Sequence, residues 1–286
     1  MMNFIQDIQQ YEFLQKALFT SVIVGIICGV LGSFIILRGM SLMGDAISHA
    51  VLPGVALSYM MGINYFYGAV TFGLMTAFGI GFITQNSRVK NDTSIGIVFS
   101  AFFAIGIILI GKTNTSTDLT SILFGNVLSV RDSDMWMTLA VGVVVLIAVG
   151  LFYKELLVST FDPTLAAAYG LPNKLIHYFL MVLLTLVTVA SLQTVGIILV
   201  VAMLITPAAT AYLLTNRLSI MITISAILGA LSAVTGLYIS FVYNWPSGAA
   251  IVLVTTSFFI VAFLFSPKHG IVWRQLRARK HKTALQ

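Results

Sequence analysis

Residues 194–215 read TVGIILVVAMLITPAATAYLLT and contain no charged side chain. A helix of about 20 apolar residues is long enough to cross the hydrocarbon core of a bilayer. Of the 286 residues in the chain, 59% are hydrophobic and 8% are charged, whereas a soluble domain carries about 25% charged residues. This composition excludes a water-soluble globular protein and predicts a polytopic membrane protein of the all-α class.

Other apolar stretches of spanning length lie on both sides of this one, and together they predict about nine transmembrane helices. Their approximate bounds are 17–37, 41–61, 64–84, 94–111, 135–153, 174–192, 194–215, 218–242 and 248–266. A tenth apolar segment, LTSILFGNVLSV at residues 119–130, is too short to span and too apolar for an ordinary loop. We expect it to form a re-entrant or interfacial helix.

The distribution of basic residues predicts the orientation, because Lys and Arg collect on the cytoplasmic side of membrane proteins. With the C-terminus inside and nine spans, 12 of the 15 Lys and Arg residues face the cytoplasm. The net charge of +6 is then a consequence of topology, and nucleic acid is not an expected partner. The N-terminus is placed outside.

The sequence divides into three expected parts. Residues 1–16 form an amphipathic N-terminal segment without the basic start of a cleavable signal peptide. Residues 17–266 form the transmembrane domain. Residues 267–286 form a basic cytoplasmic tail that is suited to anionic membrane lipid.

One acidic residue, Asp45, lies inside a predicted span, in the run GDAISHAVLPG at residues 44–54. His49 follows four residues later, a spacing that puts both side chains on one face of a helix. An ionisable group within a membrane is costly unless it has a partner, so the pair predicts a shared polar site. A carboxylate oxygen and an imidazole nitrogen suit Mn²⁺, Zn²⁺ or Fe²⁺. A structural Asp–His pair that locks two helices together and a proton relay remain alternatives on the spacing alone.

No enzymatic activity is expected of this chain. Asp45 and His49 are too few for a catalytic metal site, which takes at least three protein ligands. We expect neither a cofactor nor a phosphate-binding loop of the form GxxxxGK[ST]. The single cysteine, Cys28, excludes a disulfide within the chain and is expected to be a packing residue.

The inner loop that follows the fifth predicted span contains a short helix pattern, DPTLAAAYGLP at residues 162–172. Asp162 is a suitable N-cap, Pro163 favours the first turn, and Gly170 can end the helix before Pro172. A short capped helix outside the membrane offers a surface to a partner protein, although it could also be a simple connector.

Four runs resemble the membrane permeases of metal-ion ABC transporters, which import manganese, zinc or iron. They are LRGMSLMGDAISHAVLPGVAL (37–57), SILFGNVLSV (121–130), FDPTLAAAYGLP (161–172) and VGIILVVAMLITPAATA (195–211). The resemblance extends over roughly residues 10–267, with the runs in the family's order.

The resemblance implies a homodimeric permease in the cell membrane of a prokaryote, with the metal path at the dimer axis. It implies cytoplasmic ATPase subunits that use ATP and Mg²⁺, and an extracytoplasmic solute-binding protein that delivers the metal. Asp45 and His49 match the family's metal-coordinating pair, which two copies would double to four ligands.

The resemblance also implies that residues 162–170 form the coupling helix that contacts the ATPase. Asp162, Ala166, Ala167 and Gly170 are its expected functional residues. The transported ion is expected to be Mn²⁺, with Zn²⁺ or Fe²⁺ as alternatives. Other readings are a proton-coupled secondary transporter, an ABC permease for a siderophore or cobalamin, and a scaffold without transport activity.

Overall fold

The structure, a computed structural model, describes residues 10–112 and 127–266, and within these ranges it is built of helices without strands. The helices are α1 (Glu12–Leu37), α2 (Met43–Ala50), α3 (Leu52–Met61), α4 (Tyr65–Asn86), α5 (Asn91–Lys112), α6 (Asp132–Leu151), α7 (Tyr153–Phe161), α8 (Pro163–Ala168), α9 (Asn173–Val195), α10 (Ile197–Leu214), α11 (Leu218–Tyr243) and α12 (Ser247–Phe265). The all-α polytopic class predicted from the sequence is confirmed.

Eight helices in the described ranges are long and apolar enough to cross a membrane: α1, α4, α5, α6, α9, α10, α11 and α12. Residues 41–61, expected as one further span, instead form the two shorter helices α2 and α3. Val51 joins them with right-handed helical backbone angles, φ −73° and ψ −20°. Pro53 in the first turn of α3 has no amide hydrogen for the carbonyl of His49, and the helix is interrupted there.

Helix α1 lies in the interior of the bundle, where it packs against α11, α10 and α6. Small residues allow this close approach, because helices in lipid associate through tight packing and hydrogen bonds. The hydroxyl of Ser225 in α11 donates to the carbonyl of Gly29 at 2.8 Å, and that of Ser33 donates to the same oxygen at 3.0 Å. Cys28 is fully buried in α1, as expected of a packing residue.

The start of α1 is tied to the start of α6 by charged side chains. Lys16 Nζ lies 2.7 Å from a carboxylate oxygen of Glu12 and 2.7 Å from one of Asp132. The interfacial helix expected at 119–130 falls mainly outside the described residues, and Val127–Ser129 form a single 3-10 turn. Residues 1–9 and the basic tail from 267 onwards also lie outside them.

Candidate metal site

Helix α2 is held in place by the turn that precedes it. Gly39 adopts a left-handed φ of 65°, and its amide donates to the carbonyl of Ile36 at 3.1 Å. The amide of Met40 donates to the carbonyl of Ile35 at 3.0 Å, which completes a Schellman-type end to α1. A short linker then leads from the end of α1 to Met43, the first residue of α2.

One face of α2 is buried and the other carries the ionisable pair. Met43, Ile47 and Ala50 are fully buried, where α2 packs against α5, α9 and α10. On the other face, His49 Nε2 lies 3.5 Å from Asp45 Oδ1. The helical spacing therefore brings the two predicted side chains together.

Two phenylalanines of α5 pack against the imidazole of His49. The ring centroids of Phe99 and Phe103 lie 5.7 and 5.6 Å from that of His49, both in edge-on geometry. This leaves Nδ1 buried without a hydrogen-bond partner among the described residues, while Nε2 is directed at Asp45. Neither phenylalanine was predicted from the sequence, although their spacing of four residues within one span was a usable signal.

The carboxylate of Asp45 is open on one side. Its side chain is 46% exposed in the isolated chain, and that of His49 is 25% exposed. An exposed carboxylate within a membrane is stable only against water, a cation or another protein surface. A pair that was merely a structural lock between two helices would be expected in the interior of the bundle.

The described part of one chain offers only part of a metal coordination shell. Within residues 10–112 and 127–266 no group of three or more His, Cys, Asp and Glu side chains comes together. Asp45 and His49 supply one carboxylate and one imidazole, which are suitable ligands for a divalent first-row cation. Among the described residues, no third His, Cys, Asp or Glu side chain joins this pair.

The short helix expected within residues 162–170 is present as α8. Asp162 caps it, because its Oδ1 accepts from the amide of Leu165 at 2.8 Å. At the other end, Gly170 has a left-handed φ of 76°, and the amide of Leu171 donates to the carbonyl of Ala166 at 3.0 Å. Asn173 Nδ2 donates to the carbonyl of Pro163, which joins the first residue of α9 to the first residue of α8.

The four residues expected at this surface do not share one environment. Ala166 is fully buried, so it packs α8 against the rest of the chain. Asp162, Ala167 and Gly170 are exposed. The exposed side also carries Leu165 and Tyr169, which are 45% and 74% exposed. A partner that approached α8 would therefore meet the apolar side chains of Leu165 and Tyr169 near the carboxylate of Asp162.

The expectation that no GxxxxGK[ST] pattern occurs is wrong as a statement about letters, because residues 106–113 read GIILIGKT. A phosphate-binding loop follows a strand and opens a helix. Here Gly106–Lys112 are the last turns of the spanning helix α5. Gly106 packs on α3, where an added Cβ would stand 3.0 Å from Leu52 Cβ. The match is a coincidence of a transmembrane sequence.

The sequence matches the ABC 3 transport family over residues 10–266. The manganese transport system membrane protein MntC of Listeria monocytogenes is 68% identical over 276 residues, which are 96% of this chain and 99% of that protein. The MntC of Halalkalibacterium halodurans is 58% identical over 280 residues, 98% of this chain and 96% of that protein. The solved structure of PsaBC from Streptococcus pneumoniae in complex with Fab has a TM-score of 0.86 at 53% identity, and the match covers 97% of this chain and 99% of that chain.

Proposed function

The chain belongs to the ABC 3 transport family, and from that membership we propose that it is the membrane permease of an ATP-driven manganese importer. The similar proteins of Listeria and Halalkalibacterium are named as manganese transport system membrane proteins. The chain is a transport component and not an enzyme. Hydrolysis of ATP with Mg²⁺ takes place on a separate cytoplasmic ATPase.

The observation that carries the proposal is the placement of Asp45 and His49. Their side chains lie 3.5 Å apart on one helix, and both are partly exposed. A divalent ion in transit must exchange its hydration shell for protein ligands. The carboxylate partly neutralises the ion, and the imidazole Nε2 adds a directional nitrogen ligand.

The exposed face of α2 supports a dimeric arrangement. One chain provides two ligands, and a second copy related by a two-fold axis would present the same two from the opposite side. Four ligands from two chains would then surround an ion on the axis. Such contacts would also remove the carboxylate of Asp45 from lipid.

The α7–α8 segment supports the assignment of an ATPase partner. It contains the capped helix α8, which is not one of the spanning helices and exposes Leu165 and Tyr169. A groove on the ATPase would take up this surface. We propose that an extracytoplasmic solute-binding protein delivers the ion to the opposite side of the membrane.

The proposal is tested by reconstituting the permease with its ATPase and solute-binding protein in proteoliposomes. We expect Mn²⁺ to accumulate only when ATP is supplied on the ATPase side, and a proton ionophore to leave the uptake unchanged. Uptake that needs no ATP and is abolished by the ionophore would instead establish a proton-coupled secondary transporter. Competition with Zn²⁺ and Fe²⁺ identifies the preferred ion, and stronger uptake of either would overturn the assignment of manganese.

A further inference from the structure

Arg38 lies at the junction of α1, the linker to α2, and α7. Its backbone amide donates to the carbonyl of Phe34 at 3.1 Å and ends α1. Its Nε donates to the hydroxyl of Thr160 at 3.0 Å, and its Nη2 donates to the hydroxyl of Ser159. These are bonds between residues that are 122 and 121 positions apart in the sequence.

The two hydroxyl groups are arranged to accept from a cation. The hydroxyl of Thr160 donates its hydrogen to the carbonyl of Leu156 at 2.6 Å, and that of Ser159 donates to the same carbonyl at 3.4 Å. Each hydroxyl has one hydrogen, so only lone pairs remain for Arg38. The fork of the guanidinium suits two adjacent acceptors, whereas a single ammonium group would suit one.

On one side, this contact leads directly to the exposed helix α8. Thr160 lies two residues before Asp162, the residue that caps α8. The amide of Asp162 donates to the carbonyl of Val158 at 2.9 Å, and the amide of Ala166 donates to the carbonyl of Asp162 at 3.0 Å. Asp162 itself has non-helical backbone angles, φ −141° and ψ 86°, so α7 and α8 are separate helices joined by this one residue. The two helices also contact each other, and we expect a displacement of α8 to be passed through this short junction to Ser159 and Thr160.

On the other side, the contact leads to the ionisable pair. Asp45 lies seven residues after Arg38 in the chain. The linker is held by the amide of Met43, which donates to the carbonyl of Met40, and by that of Ala46, which donates to the carbonyl of Leu42, both at 3.0 Å. Met40 and Met43 are buried at 2% and 0% exposure. A hydrogen-bonded and buried linker of this length has little freedom to absorb movement.

We infer that Arg38 is a positioning residue that transmits the displacement of α8 to Asp45 and His49. This inference rests on the proposed function, because it assumes that an ATPase moves α8 and that the pair binds the ion. The guanidinium couples the two movements, since it is fixed to α7 by its side chain and to the α1–α2 turn by its backbone. Without the guanidinium, the ATPase would still bind the permease and hydrolyse ATP, but the movement of α8 would reach Asp45 and His49 only weakly.

The test measures Mn²⁺ imported per ATP hydrolysed, in proteoliposomes that contain the permease, its ATPase and the solute-binding protein. For Arg38→Ala we expect this ratio to fall at least about tenfold, the loss that corresponds to one hydrogen bond to a charged group. Assembly and ATP hydrolysis should persist. Arg38→Lys should lie between this variant and the unaltered chain. The control is Arg217→Ala, since Arg217 is an exposed arginine at the start of α11 and its loss should leave the ratio unchanged.

The hydroxyl groups provide a second and independent variant. Ser159→Ala combined with Thr160→Val removes both acceptors while keeping the size of the side chains, and we expect the same fall in the ratio. Adding Arg38→Ala to this pair should lower the ratio little further, because the same link is already broken. If the Arg38→Ala permease does not assemble with the ATPase, the ratio of Mn²⁺ imported to ATP hydrolysed in the hydroxyl variant tests the inference.

An unchanged ratio in the assembled Arg38→Ala complex, or in the hydroxyl variant, overturns the inference. A purely structural role for Arg38 predicts less assembled complex with a normal ratio per complex, which is a different result. Failure of the proposed function is also distinguishable, because it would appear in the unaltered chain as ATP hydrolysis without uptake of Mn²⁺.

Discussion

Gly25 of α1 and Gly229 of α11 lie face to face in the bundle. A Cβ built on Gly25 would stand 2.6 Å from the carbonyl oxygen of Gly229, closer than real Cβ atoms approach backbone atoms. A Cβ on Gly29, one turn further along, would stand 2.7 Å from the carbonyl oxygen of Ser225. The two backbones are therefore in direct contact over at least one helical turn.

This contact predicts that Gly25→Ala destabilises the folded protein. The added methyl group must push two backbones apart, which costs about 1–3 kcal/mol in a well-packed core. The measurement is the free energy of unfolding by denaturant titration in detergent micelles. Gly150→Ala is the matched control, because a Cβ on Gly150 in α6 has nothing within 4 Å. Equal stability of the two variants would contradict the close contact.

Asp45→Asn keeps the size of the side chain and removes its charge. We expect Mn²⁺ uptake, normalised to the protein inserted in the membrane, to fall at least about tenfold, because a charged ligand contributes more than about 1.4 kcal/mol. His49→Ala should have a similar effect. The double variant should be little worse than either single one, since the loss of one ligand already breaks the site.

The control for this series is Asp92→Asn, which neutralises an exposed carboxylate at the start of α5. Its uptake should be normal. If the Asp45–His49 pair is a structural lock, both single variants should show reduced expression and stability with unchanged normalised uptake. That outcome would end the metal-site interpretation.

Ala167→Glu places a charge on the exposed side of α8 without disturbing the buried Ala166. We expect the permease to fold normally, to co-purify poorly with the ATPase and to lose uptake. Asn216→Glu adds the same charge at another exposed position, between α10 and α11, and should have neither effect. Normal uptake by the Ala167→Glu variant would show that α7 and α8 are only a connector.

Lys112 occupies the place of the phosphate-binding lysine in the letters GIILIGKT, yet it ends a spanning helix. We expect Lys112→Ala to leave ATP hydrolysis by the assembled complex unchanged. The purified chain without its partners should show no binding of ATP in isothermal titration calorimetry. Stoichiometric binding by that chain would refute the proposal that ATP is used only on a separate subunit.

The sequence predicted the features that depend on local spacing. The separation of Asp45 and His49 by one helical turn is visible in the letters, and so are the cap at Asp162 and the end of α8 at Gly170. The contact of Arg38 with Ser159 and Thr160 was not predictable, because it depends on how α7 packs against the end of α1. The burial of Ala166 beside the exposed Ala167 also depends on that packing.

The break within residues 41–61 shows a different limit. Hydropathy predicts this stretch to be a single span. It averages over residues and contains no information about the backbone N–H that a proline lacks. The proline at position 53 is visible in the letters, but the separation into α2 and α3 is a property of the backbone around Val51. The edge-on packing of Phe99 and Phe103 on His49 joins two helices, so no single window of sequence contains it.

The open side of Asp45 also affects the fate of a newly made subunit. A lone copy in the bilayer presents 46% of this side chain outside its own fold, and charge exposed to hydrocarbon is unfavourable. Pairing with a second copy, as proposed, would relieve that penalty. In the proposed dimer, the carboxylate that is expected to bind the ion would therefore also make an unpaired subunit less stable than the assembled pair.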